Sequence, residues 1–343
     1  MLINNKIIKA FSLMLVLILL VIPCLTITTN AKDINDVYNK EYLVGGLPFG
    51  VKIISKGLTV VKFSDNEEES SSAYAAGIKI GDVITKINGK AITGCKDFTK
   101  EIEESLGKSV ELTILRKGKE LNITLSPKYS KSDGKYKTGI WVKDSTTGIG
   151  TITYVDPETG EFGGLGHGIC DSTSGRVIPV TYGVVLDVSI NGVNKGVKGT
   201  AGELKGTFEF KKLGTLTKNC DCGVFGYLKT DKLSCPEKLK ICPKNQVKTG
   251  DAYIWCTLDD GQVEKYAIKI TEIIENSNEV KNFKVKVTDQ RLLDKAGGIV
   301  QGMSGSPIVQ NGKLVGAVTH VLINDPTCGY GIFIENMLNS STI

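Results

Sequence analysis

The sequence predicts a mainly β chain in two folded parts, a small α+β domain followed by a larger all-β domain. Short runs of β-branched and apolar residues recur along its length. Glycine-rich turns separate them, drawing on 39 glycines in 343 residues. Helical periods are scarce, the clearest being the apolar spacing Phe98, Ile102, Leu106. An apolar share of 41% is ordinary for a globular protein, so each part can bury a core. The net charge of +5 is mild and forms no dense basic stripe, which argues against a nucleic-acid partner.

The chain opens with Lys6 and Lys9, an unbroken apolar stretch from Phe11 to Ile22, and a small-residue end at Thr29-Asn30-Ala31. That order describes an export signal over residues 1–31, either removed or kept as an anchor. Both outcomes translocate everything downstream.

Residues 42–127 read as the small domain. Strands are expected at Gly50–Ile54, Leu58–Val61, Val110–Ile114 and Leu121–Leu125, with the helix through Phe98 and Ile102 between the two pairs. In AGIKIGDVITKINGK, Gly81-Asp82 turns the chain into a strand and Asn88-Gly89 makes a tight hairpin turn. This pattern resembles a PDZ domain. The resemblance implies capture of a peptide by strand addition, with a loop of backbone amides for the terminal carboxylate. Leu47, Pro48, Phe49 and Gly50 are the expected loop, and the ligand peptide could lie in cis. Residues 128–138, rich in lysine and serine, read as a linker. From 139 to 343 the segments GIGTITYV, RVIPVTYGVVLDVSI, GTFEFKKLG, AYIWCTL, KYAIKIT and FKVKVT are short and β-type, which predicts a sandwich or closed barrels.

The chemistry concentrates in Gly302-Met303-Ser304-Gly305-Ser306-Pro307. Attack on a peptide carbonyl leaves charge on its oxygen, which backbone N–H groups beside the nucleophile must already face. Gly302 and Gly305 lack a Cβ and can adopt the positive φ that such a loop needs. Ser304 is the expected nucleophile, and the amides of Gly302 and Ser304 the oxyanion donors, as trypsin-like peptidases arrange them on two β-barrels. Its base must be one of two histidines. His167 sits in the glycine-lined loop GGLGHGI, open to substrate. His320 ends an alternating apolar strand and reads as a structural or supporting residue. For the carboxylate that orients the base, Asp187, Asp289 and Asp294 are all available. Cys170, three residues after His167, lacks a comparable oxyanion loop and reads as a neighbour rather than a nucleophile.

GMSGSPIVQNGKLVGAVTHV, NDPTCGYGIFIENML, TYVDPETGEFGGLGHGICD and VTDQRLLDKAGGIVQG closely resemble the SpoIVB serine peptidases of endospore-forming bacteria, and their shared order along the chain makes the match more specific than the serine loop alone. The resemblance covers nearly all of the chain after its apolar start. It implies a PDZ domain followed by a trypsin-like double β-barrel peptidase with His167, Ser304 and Asp289 as the catalytic set. It also implies export across the forespore membrane into the intermembrane space and self-processing. The implied substrate is a membrane-bound regulator, whose cleavage releases an intramembrane protease and activates the late mother-cell sigma factor. An HtrA-type quality-control protease and a non-catalytic PDZ-based binding partner are the alternatives; HtrA-type enzymes normally carry the PDZ domain after the protease. No cofactor and no metal is expected. Cys220, Cys222, Cys235 and Cys242 crowd together, as disulfides, free thiols or a zinc site; their C-x-C spacing, with no histidine near, fits zinc poorly.

Overall fold

The computed structural model describes residues 34–64, 71–171, 175–180, 182–229, 237–259, 261–274 and 280–341. The expected export signal over residues 1–31, Cys24 and Cys235 lie outside the described residues. Residues 1–40 form one compact unit, of which helix α1 (Ile34–Asn39) is described. Residues 41–343 form the other.

That second unit begins with β1 (Glu41–Val44) and the 16-residue strand β2 (Pro48–Phe63). The two strands expected at 50–54 and 58–61 are therefore one. Gly57 lets it pass: a Cβ there would lie 2.3 Å from the Ile84 carbonyl oxygen. The far half of β2 enters the small domain with α2 (Ser72–Ala75), β3 (Val83–Ile87), β4 (Lys90–Ala91), α3 (Cys95–Glu104), β5 (Val110–Arg116) and β6 (Lys119–Leu125). The sheet order is β2-β3-β5-β6. Asn88 and Gly89, with φ of 49° and 77°, close the β3–β4 turn as expected. Leu58, Val60, Ile84, Phe98, Ile102 and Leu112 fill the core. Leu106 does not join them: α3 stops at Glu104, and Leu106 is 68% exposed with φ of 51°. Buried Asp82 accepts from Arg116 Nε at 2.7 Å and Nη2 at 2.6 Å, which pairs its charge.

The expected linker is ordered. β7 (Lys128–Ser130) and β8 (Lys135–Lys137) form a hairpin, tied to α3 by Lys135 and Glu103 at 2.9 Å. Alternation of lysine with Tyr129 and Tyr136, whose rings meet edge to face at 5.3 Å, outweighs the polar composition.

β9 (Ile140–Val155), β10 (Glu161–Gly164), β11 (Tyr182–Asn194), β12 (Glu203–Cys220) and β13 (Gly223–Leu228) follow. With the near half of β2 they close a barrel in the order β2-β9-β10-β13-β12-β11. Here the expected carboxylate-binding loop is overturned. Phe49 is fully buried against Phe162, ring centroids 5.7 Å apart, and Gly50 pairs with Ile149 on one side and Leu186 on the other. Leu47–Gly50 lead into a barrel strand whose amides are committed to the ladder. β1, at the start of the expected small domain, pairs with β9 and with β14 (Lys238–Lys240).

The second barrel is separate in sequence. β15 (Gly250–Cys256), β16 (Glu264–Ile273), β17 (Phe283–Val287), β18 (Pro307–Gln310), β19 (Lys313–Leu322) and β20 (Asp325–Phe333) close in the order β15-β16-β17-β20-β19-β18. Its core is built on Ile254, Tyr266, Ile268, Phe283, Ile308 and Val318. α4 (Gln290–Ala296) links β17 to the serine loop, and α5 (Ile334–Ser341) follows β20. The fold is thus mainly β, an α+β small domain joined to a double β-barrel. Cys95, Cys170, Cys220, Cys222, Cys242, Cys256 and Cys328 are free thiols, so of the three alternatives for the clustered cysteines the described ones take the free-thiol state.

Candidate active site

His167 and Ser304 come from different barrels, and each lies against β19: the His167 ring stands 5.0 Å from that of His320, and Ser304 Oγ donates to the neighbouring Thr319 O. After β10, Leu165 and Gly166 both take left-handed φ, 64° and 66°, and carry the chain across β19. A Cβ on Gly166 would lie 3.0 Å from Thr319 Cγ2, so only glycine passes there without displacing its neighbour. Asn219 on β12 holds the continuation: its Oδ1 accepts from Ile169 N, and its Nδ2 donates to Ile169 O and Ile178 O, each at 2.8 Å. His167 Nδ1 lies 3.0 Å from Gly168 O. The carbonyl can only accept, so Nδ1 carries the proton and Nε2 keeps its lone pair. Burial holds the imidazole below its usual pKa, with the Gly168 carbonyl acting weakly the other way.

The serine loop leaves α4 with Gly302 and Gly305 both at φ of 94°. Strand β9 of the first barrel clamps it. Thr151 N donates to Ser304 O at 2.9 Å, Thr151 Oγ1 to Gly302 O at 2.8 Å, and Thr153 Oγ1 to Gly305 O at 2.7 Å. Ser304 Oγ donates to Thr319 O at 2.9 Å, one residue before His320. The amides of Gly302 and Ser304 donate to no partner among the described residues, as an oxyanion site requires. Ser304 and His167 share no hydrogen bond here, so the hydroxyl must leave Thr319 O before the imidazole can take its proton.

The family model of the SpoIVB peptidase S55 matches residues 134–338, and that of a PDZ domain matches residues 45–126. The chain belongs to the SpoIVB peptidase S55 family. The PDZ domain precedes the peptidase-family region. Among curated proteins it is similar to the regulator of sigma-E protease RseP of Escherichia coli, 32% identical over 80 residues, covering 23% of this chain and 18% of RseP. The chain spans about a fifth of the length of that relative. Among solved structures it is similar to the Rv3671c protease of M. tuberculosis in its active form, 13% identical with a TM-score of 0.34, covering 57% of this chain and 73% of that one. It is also similar to the HtrA-type protease AlgW with tripeptide, 13% identical with a TM-score of 0.33, covering 56% and 54%.

Within this S55 peptidase the carboxylates fall elsewhere than expected. Asp289 is the N-cap of α4: its side chain accepts from Arg291 N at 3.0 Å and Ala267 N at 3.1 Å and forms an ion pair with the Arg291 guanidinium at 3.0 Å. Arg291 holds its carboxyl below the usual range. The structure does not bring Asp289 to His167, whose environment is set by burial and a backbone carbonyl. A carboxylate spaced fifteen residues before the serine is placed by the helix it caps, a constraint that motif order cannot express. Asp187 pairs with Lys211 at 2.9 Å and Asp294 accepts from Gln290 at 2.8 Å. Asp289→Ala should lower stability by about 1–2 kcal/mol through the lost cap, while kcat of the folded enzyme changes less than about tenfold. A Tm and a kcat on the same sample check this; a wrong-tautomer loss of about 10⁴ at unchanged Tm would contradict it.

His320 is closer to the chemistry than its strand position suggested. Its ring stands 5.0 Å from that of His167, tilted by 35°, and its Nδ1 is buried with no hydrogen-bond partner among the described residues. Burial, together with His167 and Lys281, pushes its pKa down to about 4. Both rings are therefore neutral at pH 7. Thr151, Thr153 and Asn219 are functional neighbours that sequence reasoning missed, because a threonine on a strand and a lone asparagine carry no motif.

Proposed function

We propose that this chain is an exported endopeptidase of sporulation signalling that processes itself and then cleaves a membrane-bound regulator, triggering intramembrane proteolysis. Ser304 attacks the scissile carbonyl, His167 Nε2 takes the hydroxyl proton and returns it to the leaving amine, and the amides of Gly302 and Ser304 receive the oxyanion. The tautomer is fixed by Gly168 O. The observation that carries this reading is the pair of unengaged amides at Gly302 and Ser304, on a serine bonded to Thr319 O, whose neighbour His320 stacks 5.0 Å from the His167 ring. The sporulation role rests on family membership, and export on the basic and apolar start of the chain.

A fluorophosphonate probe tests the chemistry without a known substrate. It should label Ser304 and fail to label the His167→Ala chain; labelling that survives loss of His167 would remove it as the base. The rate should rise with pH through a midpoint below 6.5, the ordinary histidine value, and then level off, since the base acts unprotonated. Stability should move in the same sense. Both imidazoles bind protons more weakly folded than unfolded, so stability falls as pH drops from about 6.5 toward 4.

A further inference from the structure

A PDZ domain takes a peptide by adding it as a strand to an open sheet edge. The far half of β2 would be such an edge, because β3 covers only its other side. In this chain the place is taken. Residues Ile140–Lys143 of β9 run antiparallel to it, with Thr59 opposite Lys143, Val60 opposite Val142, Lys62 opposite Trp141 and Phe63 opposite Ile140. Helix α3 grips the same segment from beyond: Cys95 N donates to Asp144 Oδ2 at 3.3 Å, and Cys95 Sγ to Val142 O at 3.6 Å. Ile140 and Val142 pack against the core that holds Phe98 and Ile102, while Trp141 between them is 63% exposed. One face in and one face out is how an inserted strand seats.

We propose that residues 140–144 are the PDZ domain's own ligand, an internal strand bound in cis, so that the domain is a latch on the peptidase and is closed to free peptides. Being tethered, the segment competes at an effective concentration on the order of millimolar, which a free peptide must exceed. The latch reaches both parts of the candidate active site. Lys143 pairs with Asp171 at 3.5 Å, four residues beyond His167, and further along the same strand Thr151 and Thr153 hold the serine loop. A partner that lifted residues 140–144 from β2 would loosen both.

The test uses the full chain carrying Ser304→Ala, so its result is independent of whether Ser304 is the nucleophile. A fluorescein-labelled peptide with the sequence of residues 139–144 is titrated and its anisotropy followed. The chain with an intact latch should show no saturable binding well below millimolar peptide. With Ile140→Ser and Val142→Ser added, binding should tighten by at least about tenfold, or 1.4 kcal/mol. Equal binding by both chains would overturn the proposal, as would failure of a folded double variant, judged by circular dichroism, to bind. Hydrogen exchange on the unsubstituted latch decides the matter even if that variant does not fold. Amides 141–143 should be protected like those of Thr59–Lys62, and exchange at the unprotected rate would overturn it.

Discussion

Ser304→Ala should lower kcat by about 10⁴- to 10⁶-fold, the range seen when a serine nucleophile is removed from an acyl-transfer site. The change removes one oxygen whose hydrogen bond among the described residues is to Thr319 O, and the loop keeps its threonine bonds from β9 and its backbone bonds to β9 and β19. Losing a single neutral hydrogen bond costs about 1 kcal/mol, so the melting curve should barely move. A peptide-cleavage assay and a thermal melt on one preparation check both halves. The chain should also accumulate without self-processing; processing at the normal rate would remove Ser304 from the role of nucleophile. His167→Ala should match it in kcat, because neither group works without the other and the two losses do not add.

Gly305→Ala should be severely damaging. The residue sits at φ of 94°, where an L side chain is strained. Its Cβ would fall 2.0 Å from Thr151 O, 2.4 Å from Leu165 N and 3.0 Å from Leu165 Cα. All are backbone atoms of the first barrel, fixed in the β9–β10 region, and cannot swing aside. The methyl therefore forces the barrels apart at the Ser304 loop. A loss of more than about 3 kcal/mol is expected, with activity abolished in whatever fraction folds. Gly312→Ala is the control: its φ of 72° is equally left-handed, but nothing lies within 4 Å of its Cβ. That change should cost only about 1–2 kcal/mol of backbone strain and leave kcat intact. Similar losses at both positions would mean that strain alone, rather than contact between the barrels, governs Gly305.

Much of the fold was legible because its signals are local. β-Branched runs became strands, and Asn88-Gly89 made its hairpin. The serine loop was legible for the same reason, since glycine placement around Ser304 reports backbone shape directly. Where local reading failed, a long-range partner had decided. The PDZ resemblance puts a carboxylate-binding loop at Leu47–Gly50, yet barrel closure buries Phe49 and commits Gly50 to two neighbours. The lysine-rich 128–138 segment looked like a linker, yet its two tyrosines and α3 organise it as a hairpin.

By itself the sequence determined the kind of chemistry, a serine between glycines with one histidine in a glycine-lined loop, and the order of a small domain before a β-rich one. Only the tertiary structure decided which side chains surround them. It set His320 against His167, turned Asp289 into a helix cap, and laid β9 between the small domain's sheet and α3 before running it on to clamp the serine loop. The physical reason is that residue type and spacing constrain only neighbours along the chain. The partners of an imidazole, a carboxylate or a strand edge are chosen by which distant segments barrel closure brings within hydrogen-bonding distance.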